Sequence, residues 1–86
     1  MYFSAAWCAP CRSFGPVLEG IAETFAENPN FEFVKVDADR EPATLQAYSV
    51  TSMPTLLYIK GDKPVHKTVE ARPQKEVEEK IKELLA

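Results

Sequence analysis

At 86 residues, 45% of them hydrophobic and 27% charged, the chain is long enough for one globular domain and too short for two. A net charge of −3 with no basic stripe argues against a nucleic-acid partner, and no apolar run reaches the ~20 residues of a membrane span. No basic stretch leads into a long apolar region at the N-terminus, so no export signal is expected. A dithiol without one points to a reducing, cytoplasmic setting.

In chain order, Tyr2–Ala5 predicts a short strand buried on both faces. Both cysteines of the chain, Cys8 and Cys11, follow at the start of a helix predicted over Ala9–Glu27. The first turn of a helix leaves N–H groups unpaired and carries partial positive charge, a field that stabilises a thiolate over a thiol. Cys8 sits at the helix start and receives most of this effect. Cys11 lies one turn deeper on the same side, so the sulfurs can join as a disulfide. Cys11 can equally attack a bond that Cys8 has formed with another molecule. Pro10 suits the first turn, where a missing N–H costs little.

Phe14, Val17, Leu18, Ile21 and Phe25 recur at helical spacing and define a core stripe. Cys11 points towards that stripe and Cys8 does not, which predicts one accessible and one sheltered thiol. Gly15-Pro16 falls inside the helix; because the stripe continues, a kink is expected rather than a stop. Trp7, at the corner, is expected as a partly exposed shield over the cysteines. Two plainer uses of the cysteines compete. A structural disulfide would close a very small loop and contribute little stability. A metal centre needs about four ligands, and the chain offers two cysteines and one distant histidine, His66. Redox chemistry fits a strand–CxxC–helix context better.

Asn28-Pro29-Asn30 ends the helix, and Phe31–Asp37 predicts a second strand, interrupted by Lys35. Strand, long helix and strand make a right-handed βαβ unit. Asp37–Pro42 reads as a solvated acidic loop that N-caps a short helix, Pro42–Ser49, rather than as a cation site. Leu45 and Tyr48 face inward there. Thr55–Lys60 is the third strand. Gly61-Asp62 signals a tight hairpin into the fourth, Lys63–Val69, where Pro64 marks a sheet edge and His66 faces outward. A last helix, Pro73–Leu85, buries Val77, Ile81, Leu84 and Leu85. It carries Glu76–Lys80 and Glu78–Lys82 as exposed pairs.

Trp7-Cys8-Ala9-Pro10-Cys11-Arg12 resembles the W-C-G-P-C-K site of the thioredoxin family, with alanine for glycine. Pro16 matches the family's helix proline. Val34-Lys35-Val36-Asp37-Ala38-Asp39 resembles its central-strand segment, Tyr48-Ser49-Val50-Thr51-Ser52-Met53-Pro54-Thr55-Leu56 its Y-x-V-x-x-x-P-T-L segment, and Lys60-Gly61-Asp62 its hairpin. The resemblance covers essentially residues 1–86 as one domain. It implies an α/β thioredoxin fold: β-α-β-α-β-β-α, a compact four-stranded mixed sheet in order 2-1-3-4, with helices on both faces. A cis Met53–Pro54 bond facing the dithiol is implied as well. The chain is similar to compact thioredoxins of some phages and archaea, without the N-terminal strand and helix. One sheet face is then covered by the short helix alone, which leaves room for an exposed apolar patch or a dimer contact. A monomer is expected. Tyr2 stands where most of the family carries a buried aspartate, and Ser52 and Glu70 stand where it carries glycines.

The function implied is reduction of protein disulfides through Cys8 and Cys11, with no metal and no cofactor. Trp7, Ala9, Pro10, Met53, Pro54, Val69 and Glu70 would border a shallow groove for an extended peptide, and thioredoxin reductase would supply the electrons. The rivals are a glutaredoxin-like, glutathione-coupled enzyme and a binding module on the same scaffold. An oxidase or isomerase fits less well, because the residues between the cysteines are Ala-Pro with no histidine.

Overall fold

The computed structural model describes all 86 residues. Its elements follow the order β1 (Tyr2–Ser4), α1 (Ala9–Phe25), β2 (Lys35–Asp37), α2 (Pro42–Ala47), β3 (Thr55–Lys60), β4 (Lys63–Val69) and α3 (Gln74–Leu85). One sheet runs β2-β1-β3-β4. β1 pairs with β2 in parallel, Tyr2 opposite Lys35 and Ser4 opposite Asp37. The β1–β3 and β3–β4 pairs are antiparallel. The order matches the expected 2-1-3-4, and the α/β architecture follows from it.

Each face of the sheet has its own cluster. On one, Tyr2, Leu56 and Tyr58 meet Phe14, Leu18 and Ile21 of α1 and Val77 of α3. On the other, Phe3, Val36, Val50 and Leu57 gather Leu45 and Tyr48 from α2 and its flank. Alternation along β1 sends Tyr2 to the first face and Phe3 to the second, and both are almost completely buried. Val77 is the one fully buried side chain of α3. Burying a valine stabilises by about 1.5–3 kcal/mol, and Ile81 and Leu84 pack alongside it.

Several boundaries differ from expectation. β2 is three residues long, and Phe31–Val34 lie outside it. β1 pairs with it from Lys35 to Asp37, and the bond from Tyr2 N–H to the Val34 carbonyl at 2.8 Å is the last one back along the ladder. Ala5 falls just past β1, and Ala26 and Glu27 just past α1. α1 continues through Pro16 without a break. α2 stops at Ala47, because Ser49 takes a left-handed conformation (φ 57°) that a helix cannot contain. The acidic loop does not cap α2 through a side chain: Glu41 stands at its N-cap without such a bond. The Asp37 carbonyl accepts from the Arg40 and Glu41 N–H groups instead. Pro73 caps α3 from outside rather than opening it.

The expected Glu76–Lys80 and Glu78–Lys82 pairs do not form. Glu76 accepts from Arg72 Nε and Nη2, each at 2.7 Å, and Lys80 turns to Glu83. The planar fork of arginine fits a carboxylate in two places at once, which an ammonium does not. Pro64 does lie on an edge strand, beside the register shift that separates the Tyr58–His66 and Ile59–Pro64 pairs. His66 is exposed, its ring 5.4 Å from that of Tyr58.

Candidate functional site

The dithiol sits where β1 ends and α1 begins. Cys8 is the N-cap residue of α1, with extended backbone (φ −88°, ψ 109°), and its sulfur accepts the Cys11 N–H at 3.3 Å. That is the geometry by which a capping side chain satisfies an unpaired donor of the first turn. The two sulfurs are joined as a disulfide, with Cα atoms 5.3 Å apart, as a separation of three across a first helical turn permits.

Cys8 is not the accessible thiol that the core stripe suggested. It is 4% exposed and Cys11 6% exposed. Both pack with Ala5, and Ala38 and Met53 close over them. An N-cap residue points back along the helix towards the strand it leaves, so it lies against the sheet end even when it is off the helix's apolar face. Ala9 and Pro10 are exposed on the other side of the corner, and so is Trp7, at 66%. The Trp7 indole N–H donates to Asp39 Oδ1 at 3.2 Å. Arg12 folds back to donate to the Ala6 carbonyl at 3.2 Å.

The remaining expected groove residues arrive from the other half of the chain. The Met53–Pro54 bond is cis, and Thr55 Oγ1 donates to the Ser52 carbonyl at 2.7 Å, fastening the turn in front of it. Met53 packs against the cluster that Ala5 forms with the two cysteines. Val69, opposite Thr55 in the β3–β4 ladder, is 44% exposed. The Glu70 N–H donates to the Pro54 carbonyl at 3.0 Å, and Glu70 adopts φ 78°, a region that favours glycine. Trp7, Ala9 and Pro10 thus lie with the dithiol. Met53 links it to Pro54, Val69 and Glu70.

Beneath the dithiol, the Tyr2 hydroxyl donates to the Cys11 carbonyl at 3.1 Å. Burial raises the Tyr2 phenol above its ordinary value, so it stays protonated well past neutrality. Lys35 does not reach the sulfurs; its ammonium pairs with Glu19 Oε1 at 2.8 Å near the surface. Asp37, Asp39 and Glu41 form no metal-ligand set. Asp37 Oδ1 accepts the Asp39 N–H at 3.0 Å and holds the loop. Asp39, the partner of Trp7, is the contributor that sequence reasoning missed. Its signal was topological: parallel strands β1 and β2 end on the same side of the sheet, so the loops that leave them are neighbours.

No helix is long and apolar enough to cross a membrane. The thioredoxin family model matches residues 1–83. The chain is 36% identical over 83 residues to thioredoxin of Alicyclobacillus acidocaldarius, covering 96% of this chain and 77% of that one. It is 45% identical over 67 residues to thioredoxin of Chlamydia trachomatis, of which it spans 63%. The structure of Fasciola hepatica thioredoxin superposes with a TM-score of 0.85 at 38% identity, over 95% of this chain and 75% of that one. The matched stretch runs through the dithiol, the cis-proline turn and the hairpin alike, and the chain belongs to the thioredoxin family of thiol–disulfide oxidoreductases.

Proposed function

We propose that the chain reduces protein disulfides, with Cys8 as the attacking thiol and Cys11 as the resolving one. The observation that carries the assignment is the Cys11 N–H aimed at the Cys8 sulfur at 3.3 Å. A donor so placed at a helix start stabilises negative charge on Cys8 once the disulfide is opened.

In the first step the Cys8 thiolate attacks one sulfur of the substrate disulfide, and the displaced substrate sulfur takes up a proton from solvent. Cys11 then loses its proton and attacks Cys8 Sγ, displacing the second substrate sulfur. Two electrons pass from the dithiol to the substrate, and the Cys8–Cys11 disulfide remains. Trp7, Ala9, Pro10, Met53, Pro54, Val69 and Glu70 border the groove that holds an extended substrate segment. Returning the disulfide to a dithiol requires a reducing compartment. Thioredoxin reductase is the donor that family membership favours, and an insulin-reduction assay recycled by either that enzyme or glutathione distinguishes the two.

The cysteine roles are tested by mass spectrometry after mixing with a disulfide-containing protein. Cys11→Ser should accumulate the mixed disulfide and Cys8→Ser should not. Equal trapping by both variants would overturn the assignment.

A further inference from the structure

A second opening reaches the dithiol from behind. A cleft of about 410 Å³ lies between α1 and the β1–β2 edge, and Tyr2, Ser4, Cys11, Gly15, Glu19 and Lys35 line it. Cys11 borders this cleft and Cys8 does not. The space has room for several water molecules, at about 30 Å³ each in the liquid, and its walls offer the polar partners that ordered water needs. Cys11, Gly15 and Glu19 recur every four residues and so share one face of α1. Gly15 leaves that face bare in the middle. A Cβ there would sit 3.7 Å from the Tyr2 hydroxyl, an ordinary contact, so a methyl group fits while a longer side chain would project into the cleft.

We propose that this cleft is the water path through which Cys11 gives up its proton during release of the mixed disulfide, with Glu19 setting its electrostatic potential and Gly15 its width. The inference rests on the resolving role of Cys11 argued above. The resolving step needs a thiolate at a residue that is only 6% exposed, in a cluster against which Ala38 and Met53 pack. Tyr2, the one hydroxyl fixed to the Cys11 backbone, is raised by burial and serves as no base near neutrality. The proton therefore leaves through water, and the charges along the way govern how readily it does so. Those charges are Arg12 and Glu19 from α1 and Lys35 and Asp37 from β2, with Tyr2 neutral on β1. Arg12 is turned to the Ala6 carbonyl, and Asp37 is engaged by the Asp39 N–H and faces Arg40 at 3.8 Å. Glu19 and Lys35 neutralise one another at 2.8 Å. Removing either leaves a net charge of known sign beside the path.

The experiment is stopped-flow mixing of the reduced protein with a neutral dipyridyl disulfide at low ionic strength. Each displacement releases one absorbing thiopyridone: the first reports attack by Cys8, the second resolution by Cys11. Reagent is supplied at a concentration where attack outruns release. Glu19→Gln unmasks the Lys35 charge and should move the pH profile of the second phase down by about 0.3 of a pH unit, for charges roughly 10 Å apart in a water-like medium. Below the midpoint this reads as about a twofold faster release. Lys35→Met should move the profile up by a similar amount, and Gly15→Leu should slow the second phase at every pH. The first phase should be unchanged in all three. Second-phase profiles identical to the parent's in all three variants would overturn the proposal. In that case Cys11→Ser would still stop after the first equivalent. Release of both equivalents by Cys11→Ser would instead remove the resolving role, and this proposal with it.

Discussion

Tyr2→Phe isolates a single hydroxyl. The ring stays, and with it the edge-on contact to Phe14 (centroids 5.9 Å) and the stacked one to Phe33 (6.4 Å). What goes is the hydrogen bond at 3.1 Å to the Cys11 carbonyl. That carbonyl lies inside α1 and keeps its intrahelical donor, so no buried acceptor is stranded. The loss should be the net value of one bond, about 1 kcal/mol. For a domain of this size that corresponds to a fall of about 4–8 °C in thermal midpoint.

The kinetic expectation is sharper than the thermal one. Because burial raises the phenol, Tyr2 is protonated throughout the neutral range and accepts no proton from Cys11. Release of the mixed disulfide should therefore accelerate with rising pH in the parent, and Tyr2→Phe should leave that profile in place. Trp7 fluorescence in a stopped-flow instrument follows the step. Tyr2→Asp should instead speed release near neutrality. It deletes a ring that is 2% exposed, so it should cost about the 3–5 kcal/mol of a large-to-small core change, plus the penalty of a buried carboxyl. A release rate already flat across neutral pH, or one flattened by Tyr2→Phe, would refute the reasoning.

In the proposed groove Glu70 would place a carboxylate at the rim, and Arg72 nearby is fully engaged by Glu76. Basic disulfide peptides should therefore react faster than matched acidic ones at low salt. Glu70→Gly should narrow that gap without lowering the thermal midpoint, since φ 78° costs a non-glycine residue about 1–2 kcal/mol; an unchanged gap would place Glu70 away from the substrate. Burial pushes Tyr58 up to about 12. A folded-state value above the unfolded one, about 10, contributes stability that is intact below pH ~10 and lost as pH rises through ~12. Urea midpoints should fall over that window and fall less in Tyr58→Phe; parallel decline in both proteins would contradict the shift.

The strands, the hairpin and the dithiol were legible because each rests on local chemistry: alternation, Gly61-Asp62, and two thiols at a helix start; the strand order came from the resemblance to the thioredoxin family. What escaped depended on partners far along the chain. Phe31–Val34 carry strand residues, yet a strand needs a paired neighbour, and β1 pairs only with Lys35–Asp37. Cys8 was misjudged because helical periodicity describes a helix's faces and not the residue that caps it. The pairs on α3 went to Arg72 and Glu83 since spacing alone does not choose between competing partners. The Trp7–Asp39 bond spans 32 residues and is invisible to any local pattern.

That bond has a consequence for the entropy of recognition. An unattached tryptophan at an exposed corner samples several rotamers, and freezing such a side chain on association costs about 0.5–1.5 kcal/mol. With its indole fastened to Asp39, and Asp39 fastened through its backbone to Asp37, Trp7 is ordered when the chain folds. A partner then meets a finished surface and loses little freedom on arriving. The loop that supplies this rigidity leaves from β2, the shortest-ladder edge of the sheet. If Trp7 borders the groove as proposed, loosening that edge should weaken substrate capture while leaving the sulfur chemistry of Cys8 and Cys11 intact.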